Sequence, residues 1–238
     1  KMFDCCSSPV LVTGSDFSSG AMPEYELFYW PITGLGEPIR IAMAIGGIPF
    51  KDNTPKNCEN FAAKKEEAGC QVPFLTIDGK VMGQSRAILR YLGKEVKYDG
   101  KPLYPVDSME AYNCDELIEL IEDARSPLGK TFSIQDQAEK EAARAALFAE
   151  DGGIAKWLVK VDQRLASFGP SPTIGDIYAF CIMNMFRQPT FLDGIPAGTM
   201  DKYTNITKHH EFIANLPPVV EYYKAAEGIR VSFQPFNN

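Results

Sequence analysis

The stretch "CQVPFLTIDGKVMGQSRAIL", residues 70–89, constrains the fold more than any other part of the chain. Val72, Phe74, Leu75, Ile77, Val81 and Met82 spell two short strands around Asp78-Gly79, a dipeptide suited to the tight turn of a hairpin. Pro73 opens the first strand, where it deletes a backbone donor and restricts Val72. Gln84 and Ser85 stand where a helix begins, just ahead of "RAILRYLG". A proline at the mouth of a strand is a site for a cis bond. Such a bond turns the preceding N–H and C=O outward, so that an extended peptide can add to the edge as a further strand. A helix N-terminus favours a carboxylate. Together these features describe a receptor for a short, extended, acidic peptide. Taken alone, the stretch reads more simply as a strained turn with Ser85 as an N-cap.

The surrounding pattern divides the chain. Residues 1–22 are rich in Ser, Gly and small residues without a sustained period and read as an N-terminal extension. Within it, Cys5-Cys6 fits lipidation in principle and fits two free thiols in a tail better. Residues 23–96 give a strand ("YELFYW"), a Gly/Pro turn, a helix ("IRIAMAIGG"), a short strand near "PFKDN", a polar helix ("ENFAAKKEEAG"), the hairpin and a last helix. That order, βαβ then ββα, is a compact α/β unit. Residues 97–107 read as a Gly/Pro-rich linker. From 108 to 238 long helical periods take over, with "TIGDIYAFCIMNMF" so apolar that its helix must be buried. The expected class is α/β plus all-α.

Composition removes several functions. A net charge of −7 with no basic run beyond a pair excludes a nucleic-acid partner. No apolar run reaches the roughly 18 residues of a membrane span. Six scattered cysteines without a C-x-x-C pair, and two adjacent histidines, offer no metal set. This is the cysteine usage of a reducing compartment, so a cytoplasmic location is expected.

At this point the residues carry a resemblance. "QVPFLTIDGK-x₃-QSRAILRYLG" resembles the glutathione-binding half of cytosolic-type glutathione S-transferases. "YELFYWPITGLGEPIR" resembles the first strand and turn of the tyrosine-type classes, "DELIELIEDARSPL" the first long helix of the second domain, and "PTIGDIYAF" the Thr-x-x-Asp box of its buried helix. The resemblance covers about residues 24–225 and implies a thioredoxin-like domain followed by an all-helical one. It also implies glutathione as co-substrate, a small hydrophobic electrophile, no metal, and a homodimer.

Residue by residue, the resemblance implies that Tyr29 donates its hydroxyl proton to the glutathione sulfur. It implies that the Val72 main chain, before Pro73, pairs with the cysteinyl backbone, and that Gln84 and Ser85 hold the γ-glutamyl carboxylate. Gln71 and Lys64 meet the glycyl end, and Asp123 reaches the γ-glutamyl amine across a dimer. Many sigma-class enzymes carry an arginine at the position of Leu35; Leu35 with Trp30 resembles the mu-class pattern instead, leaving the class between sigma-like and mu-like. The tryptophan expected before Lys64 is missing, and nearby Phe61 cannot donate a hydrogen bond. Tyr25 is read as packing, Thr33 as a weak fallback for Tyr29, Cys70 as packing or a site of incidental modification, and Trp157 and "CIMNMF" as core. The terminal "GIRVSFQPF" is read either as a cover for the electrophile pocket or as packing on the helical domain. The implied activity is conjugation of glutathione to electrophiles. A glutathione-dependent isomerase of prostaglandin type and a non-catalytic structural subunit are the alternatives.

Overall fold

The computed structural model describes residues 22–187 and 192–225. The N-terminal extension up to residue 21 and the terminal "GIRVSFQPF" lie outside them. Tyr25–Phe28 (β1) runs parallel to Phe50–Asn53 (β2) and antiparallel to Phe74–Ile77 (β3), which pairs antiparallel with Lys80–Met82 (β4). The sheet order is β2-β1-β3-β4. Asp78 (φ 50°) and Gly79 (φ 78°) make the β3–β4 turn, both in the positive-φ region that a two-residue hairpin demands. Glu37–Ile45 (α1) joins β1 to β2, Phe61–Ala68 (α2) joins β2 to β3, and Ser85–Glu95 (α3) follows β4.

Strand alternation gives the sheet two unlike faces. Leu27 and Leu75 enter the main core with Ile39, Met43, Ile88 and Leu92 of α1 and α3. Phe28 and Phe74 point the other way, stack at 4.6 Å, and form a small separate cluster with Phe61 of α2. Pro38 in the first turn of α1 is tolerated because the N–H it lacks has no intrahelical partner there.

Residues 97–107, expected as a linker, are locally ordered. Lys97–Tyr98 (β5) and Lys101–Pro102 (β6) form a second hairpin around Asp99 (φ 49°) and Gly100 (φ 79°). The Leu103 carbonyl then accepts from Ile174 N–H at 2.8 Å, and the Tyr104 hydroxyl donates to Asp115 at 2.9 Å. The connector is thereby pinned to the second domain.

That domain is helical throughout its described residues: Ser108–Arg125 (α4), Gln137–Phe148 (α5), Ala155–Arg164 (α6), Ile174–Arg187 (α7), Thr204–Ala214 (α8) and Pro217–Ala225 (α9). α7 is buried from Ile174 to Phe186, as its apolar run requires, and packs against α1, α4 and α8. Its N-terminus is a capping box. Thr173 N–H donates to Asp176 Oδ2 at 2.8 Å, and Asp176 N–H to Thr173 Oγ1 at 3.3 Å. His209 of α8, buried, adds a bond to Asp176 Oδ1 at 3.0 Å. Trp157 packs at the core edge and Cys181 to Phe186 lie within the core. The fold is thus a thioredoxin-like domain followed by an all-helical domain.

Candidate active site

Strand register gathers the expected residues at one end of the sheet. β1 pairs Phe28 with Phe74, and β3 pairs Leu75 with Met82. Continuing both ladders places Tyr29 and Gln84 on either side of Pro73. The Tyr29 N–H still bonds Asn53 O at 3.0 Å, so the chain keeps strand geometry to that residue. Three of the expected residues thus form one row across β1, β3 and β4.

Tyr29 is 7% exposed. Its surroundings are made by the loop that follows it. A side chain at Gly34 would bring a Cβ to 2.4 Å from the Tyr29 hydroxyl, and one at Gly36 to 2.5 Å from the ring. Glycine at these two positions is what lets the loop close on the phenol; Gly34 also has φ 43°. Leu35 N–H donates to the Tyr29 oxygen at 3.1 Å. The oxygen therefore accepts from the loop and keeps its own proton to donate elsewhere. Burial raises the phenol's pKa, and the Leu35 N–H, Arg40 and Arg125 each oppose that rise.

Arg40 anchors the same loop from below. Its five N–H donors are all used: Nε and Nη2 on Asp52, Nη1 on Ile32 O and Glu37, and Nη2 on Trp30 O, at 2.9–3.2 Å. The guanidinium lies 5.7 Å from the Tyr29 ring centroid, within cation–π range. Position 35 thus holds a leucine, partly buried against the core, while the cation beside the tyrosine comes from Arg40. Thr33, the fallback, is 1% exposed and sits on the buried side of the loop.

The Val72-Pro73 bond is cis. Val72 precedes β3 and joins no ladder among the described residues. Gln84 has φ 66° and ψ 96°, a conformation that costs a non-glycine residue about 1–3 kcal/mol and clusters at ligand sites. The sequence reading of Ser85 as an N-cap is corrected here. Gln84 holds the cap position without a side-chain cap bond, and Ser85 is the first helical residue. The helix begins at Ser85, and its N-cap gives the first turn of α3 no side-chain bond.

The remaining candidates sit further out. Gln71 is exposed beside Val72. Lys64 is exposed and pairs with Glu67 at 3.2 Å. A groove of about 570 Å³ opens between α2 and Trp30, lined by Trp30, Pro55, Cys58, Phe61 and Lys65 among others, so that Lys65 rather than Lys64 borders it. Trp30 leans on Phe61 at 5.6 Å. Cys70 packs beside the phenylalanine cluster. Asp123 is exposed in the last turn of α4 and makes no side-chain bond among the described residues. One residue later but one, Arg125 forms a two-point pair with Glu122 at 2.7 Å. Burial alone would raise the Glu122 carboxyl, but Arg125 and Tyr178 outweigh it and hold it below the usual range. Sequence reasoning missed Glu37, Arg40 and Arg125; the motif "GEPIR" carried the first two, but nothing local marked them as partners of Tyr29.

No group of three or more His, Cys, Asp or Glu among the described residues is arranged to hold a metal. No helix among them is long and apolar enough to cross a membrane. Comparison with known proteins places the fold in a family. Residues 24–94 match the glutathione S-transferase N-terminal domain, and residues 122–226 match the glutathione S-transferase C-terminal domain. The chain is similar to glutathione S-transferase 1 of Ascaris suum, 27% identical over 206 residues covering 84% of this chain and 96% of the relative. The solved structure of prostaglandin synthase D of Nilaparvata lugens superposes with a TM-score of 0.70 at 30% identity, covering 85% of this chain and 98% of that one. A sigma-class enzyme of Fasciola hepatica gives 0.66 at 25% identity, covering 90% and 99%. The fold and the row of residues on its sheet define a thioredoxin-like transferase architecture. The chain belongs to the cytosolic glutathione S-transferase family, among tyrosine-type relatives.

Proposed function

We propose that the chain is a glutathione transferase in which glutathione lies extended along Val72 and its thiolate attacks small hydrophobic electrophiles. The observation that carries this reading is the Tyr29 hydroxyl, which accepts the Leu35 N–H and so has its own proton free for a sulfur. A free thiol has a pKa near 8.5 and is only a few per cent thiolate at pH 7. Lowering it by about two units makes thiolate the major form and requires about 2.7 kcal/mol of differential stabilisation. A phenolic donor in a buried site, with cations behind it, is of that order. The sulfur lone pair then forms the new bond to carbon while the electrophile's leaving group departs. The Val72 edge supports pairing with the cysteinyl backbone, and the uncapped start of α3 at Gln84 and Ser85 supports binding of the γ-glutamyl carboxylate. Gln71 and Lys64 are assigned to the glycyl end.

The test begins with retention on immobilised glutathione and a chlorodinitrobenzene assay, followed by Tyr29→Phe. That variant folds normally and loses most turnover, a hundred-fold or more in kcat. Unchanged turnover removes Tyr29 from the chemistry. A second reading, a glutathione-dependent isomerase, is favoured by the likeness to the Nilaparvata prostaglandin synthase D. It predicts isomerisation of a prostaglandin-type substrate without net consumption of glutathione.

The proposed enzyme is a homodimer, with Asp123 meeting the ligand amine of the neighbouring subunit. Met109, Tyr112 and Asp123 share one face of α4 by helical spacing. Met109 and Tyr112 are 65% and 58% exposed, and Tyr91 of α3 and Val81 of β4 are exposed as well. Mixing Tyr29→Phe subunits with Asp123→Asn subunits restores activity, because each mixed dimer holds one site with both native residues. A monomeric elution volume, or mixtures no better than the parents' average, sinks the shared site.

A further inference from the structure

A chain of hydrogen bonds joins the last described helix to the phenol of Tyr29. Tyr222 and Tyr223 of α9 both donate to Glu37 Oε1, at 3.1 and 2.9 Å. The other oxygen, Glu37 Oε2, accepts from Arg40 at 3.1 Å, and both side chains of that ion pair are fully buried. Arg40 in turn donates to the carbonyls of Trp30 and Ile32, which flank Pro31 in the loop closing on Tyr29. That loop ends by delivering the Leu35 N–H to the Tyr29 oxygen. The Glu37 N–H also bonds Thr33 O at 3.0 Å, so the carboxylate and the loop share one backbone frame.

Burying a carboxylate is costly unless both of its oxygens are hydrogen-bonded. Arg40 serves one oxygen, but it is shared with Asp52 and two carbonyls. The tyrosine hydroxyls serve the other from 185 residues away. Remove them, and Oε1 loses the two donors that α9 supplies, so the balance that holds the carboxylate against Arg40 changes. A turn of the carboxylate toward Arg40 redirects the donors that now hold the loop.

We propose that Tyr222 and Tyr223 are positioning residues: through Glu37 and Arg40 they hold the 30–36 loop in the geometry that presents the Leu35 N–H to the Tyr29 oxygen. The inference rests on the reading of Tyr29 as donor to the glutathione sulfur. A phenol that accepts a hydrogen bond donates a stronger one, so the far helix sets the donor strength at the sulfur. Contacts to the glutathione backbone at Val72, Gln84 and Ser85 lie outside this chain of bonds.

The experiment uses the full chain carrying Tyr222→Phe and Tyr223→Phe together. Three quantities are read: the Tyr29 phenol pKa in the free protein, from its ultraviolet difference against Tyr29→Phe; the thiol pKa of bound glutathione; and kcat with KM. Both pKa values rise by about one unit, and kcat falls roughly ten-fold below the thiol pKa. KM for glutathione stays within about two-fold. In a Tyr29→Phe background the same pair leaves the thiol pKa unmoved, since the two changes act through one oxygen. A drop in melting temperature with phenol pKa and kcat unchanged overturns the proposal, as does a loss fully additive with Tyr29→Phe. Wild-type turnover in Tyr29→Phe alone overturns the reading of Tyr29 instead, and the free-protein phenol titration still decides whether α9 acts on it. If the pair does not fold, the single Tyr223→Phe, at the partly exposed position, gives the same readouts at smaller size.

Discussion

At the start of α7, Thr173 and Asp176 close on each other, and His209 takes the remaining carboxylate oxygen. At the start of α3, Gln84 holds a positive φ and offers no cap, and the first-turn donors meet no side chain of their own. α7 is buried along nearly its whole length, whereas α3 packs only one face on the core. One N-terminus is capped by side chains of the fold; the other is not, and in the proposed function glutathione meets it. A buried helix cannot leave its donors unmet. A helix at the rim of a site can, provided the rest of its face is well packed, as Ile88, Leu89 and Leu92 are. On the function proposed above, the difference separates a residue pair used for folding from one used for binding.

Mutations at the two helix starts should separate in kind as well as size. Asp176→Ala strips the α7 cap and the partner of His209, and a loss of about 3 kcal/mol in urea unfolding is expected. Turnover per folded molecule stays unchanged; a variant of native stability breaks the contrast from that side. Ser85→Ala is expected to raise KM for glutathione by roughly ten-fold, about 1.4 kcal/mol, with kcat and melting temperature near wild type. Here a fall in kcat at constant KM contradicts the assignment of Ser85 to a remote carboxylate. Smallest of all, Gln84→Gly removes the positive-φ penalty against the entropy cost of glycine. It leaves the protein about 0.5 kcal/mol more stable, with glutathione bound more weakly. If Gln84→Gly destabilises the protein, its backbone is not strained for binding.

Both helix starts were legible because their signals are local: Thr-x-x-Asp before an apolar run, and a polar pair after a hairpin. What the sequence did not show is that Gln84 and not Ser85 takes the cap position, with a positive φ that has no mark in residue type. The second hairpin carries the same Asp-Gly signal as the first, at Asp99-Gly100, yet among prolines it read as a linker. His209 and the Glu37–Tyr222–Tyr223 bonds lie 33 and 185 or more residues apart. Nothing in the spacing of a single sequence brings such partners together, and so the support beneath Tyr29 emerged only from the folded chain. The residues proposed to face glutathione are written in motifs; those holding them in place are not.

The divided sheet has a consequence for motion. α2 buries a single residue, Phe61, and that residue belongs to the three-phenylalanine cluster rather than to the main core. Lifting α2 away therefore breaks little more than one aromatic contact set and leaves the α1–α3 side untouched. Its amides will exchange with solvent through a local opening far less costly than global unfolding, while those of α7 wait for the whole molecule to open. A peptide whose end rests against α2 would close that opening. It would slow amide exchange in a helix that packing alone holds loosely.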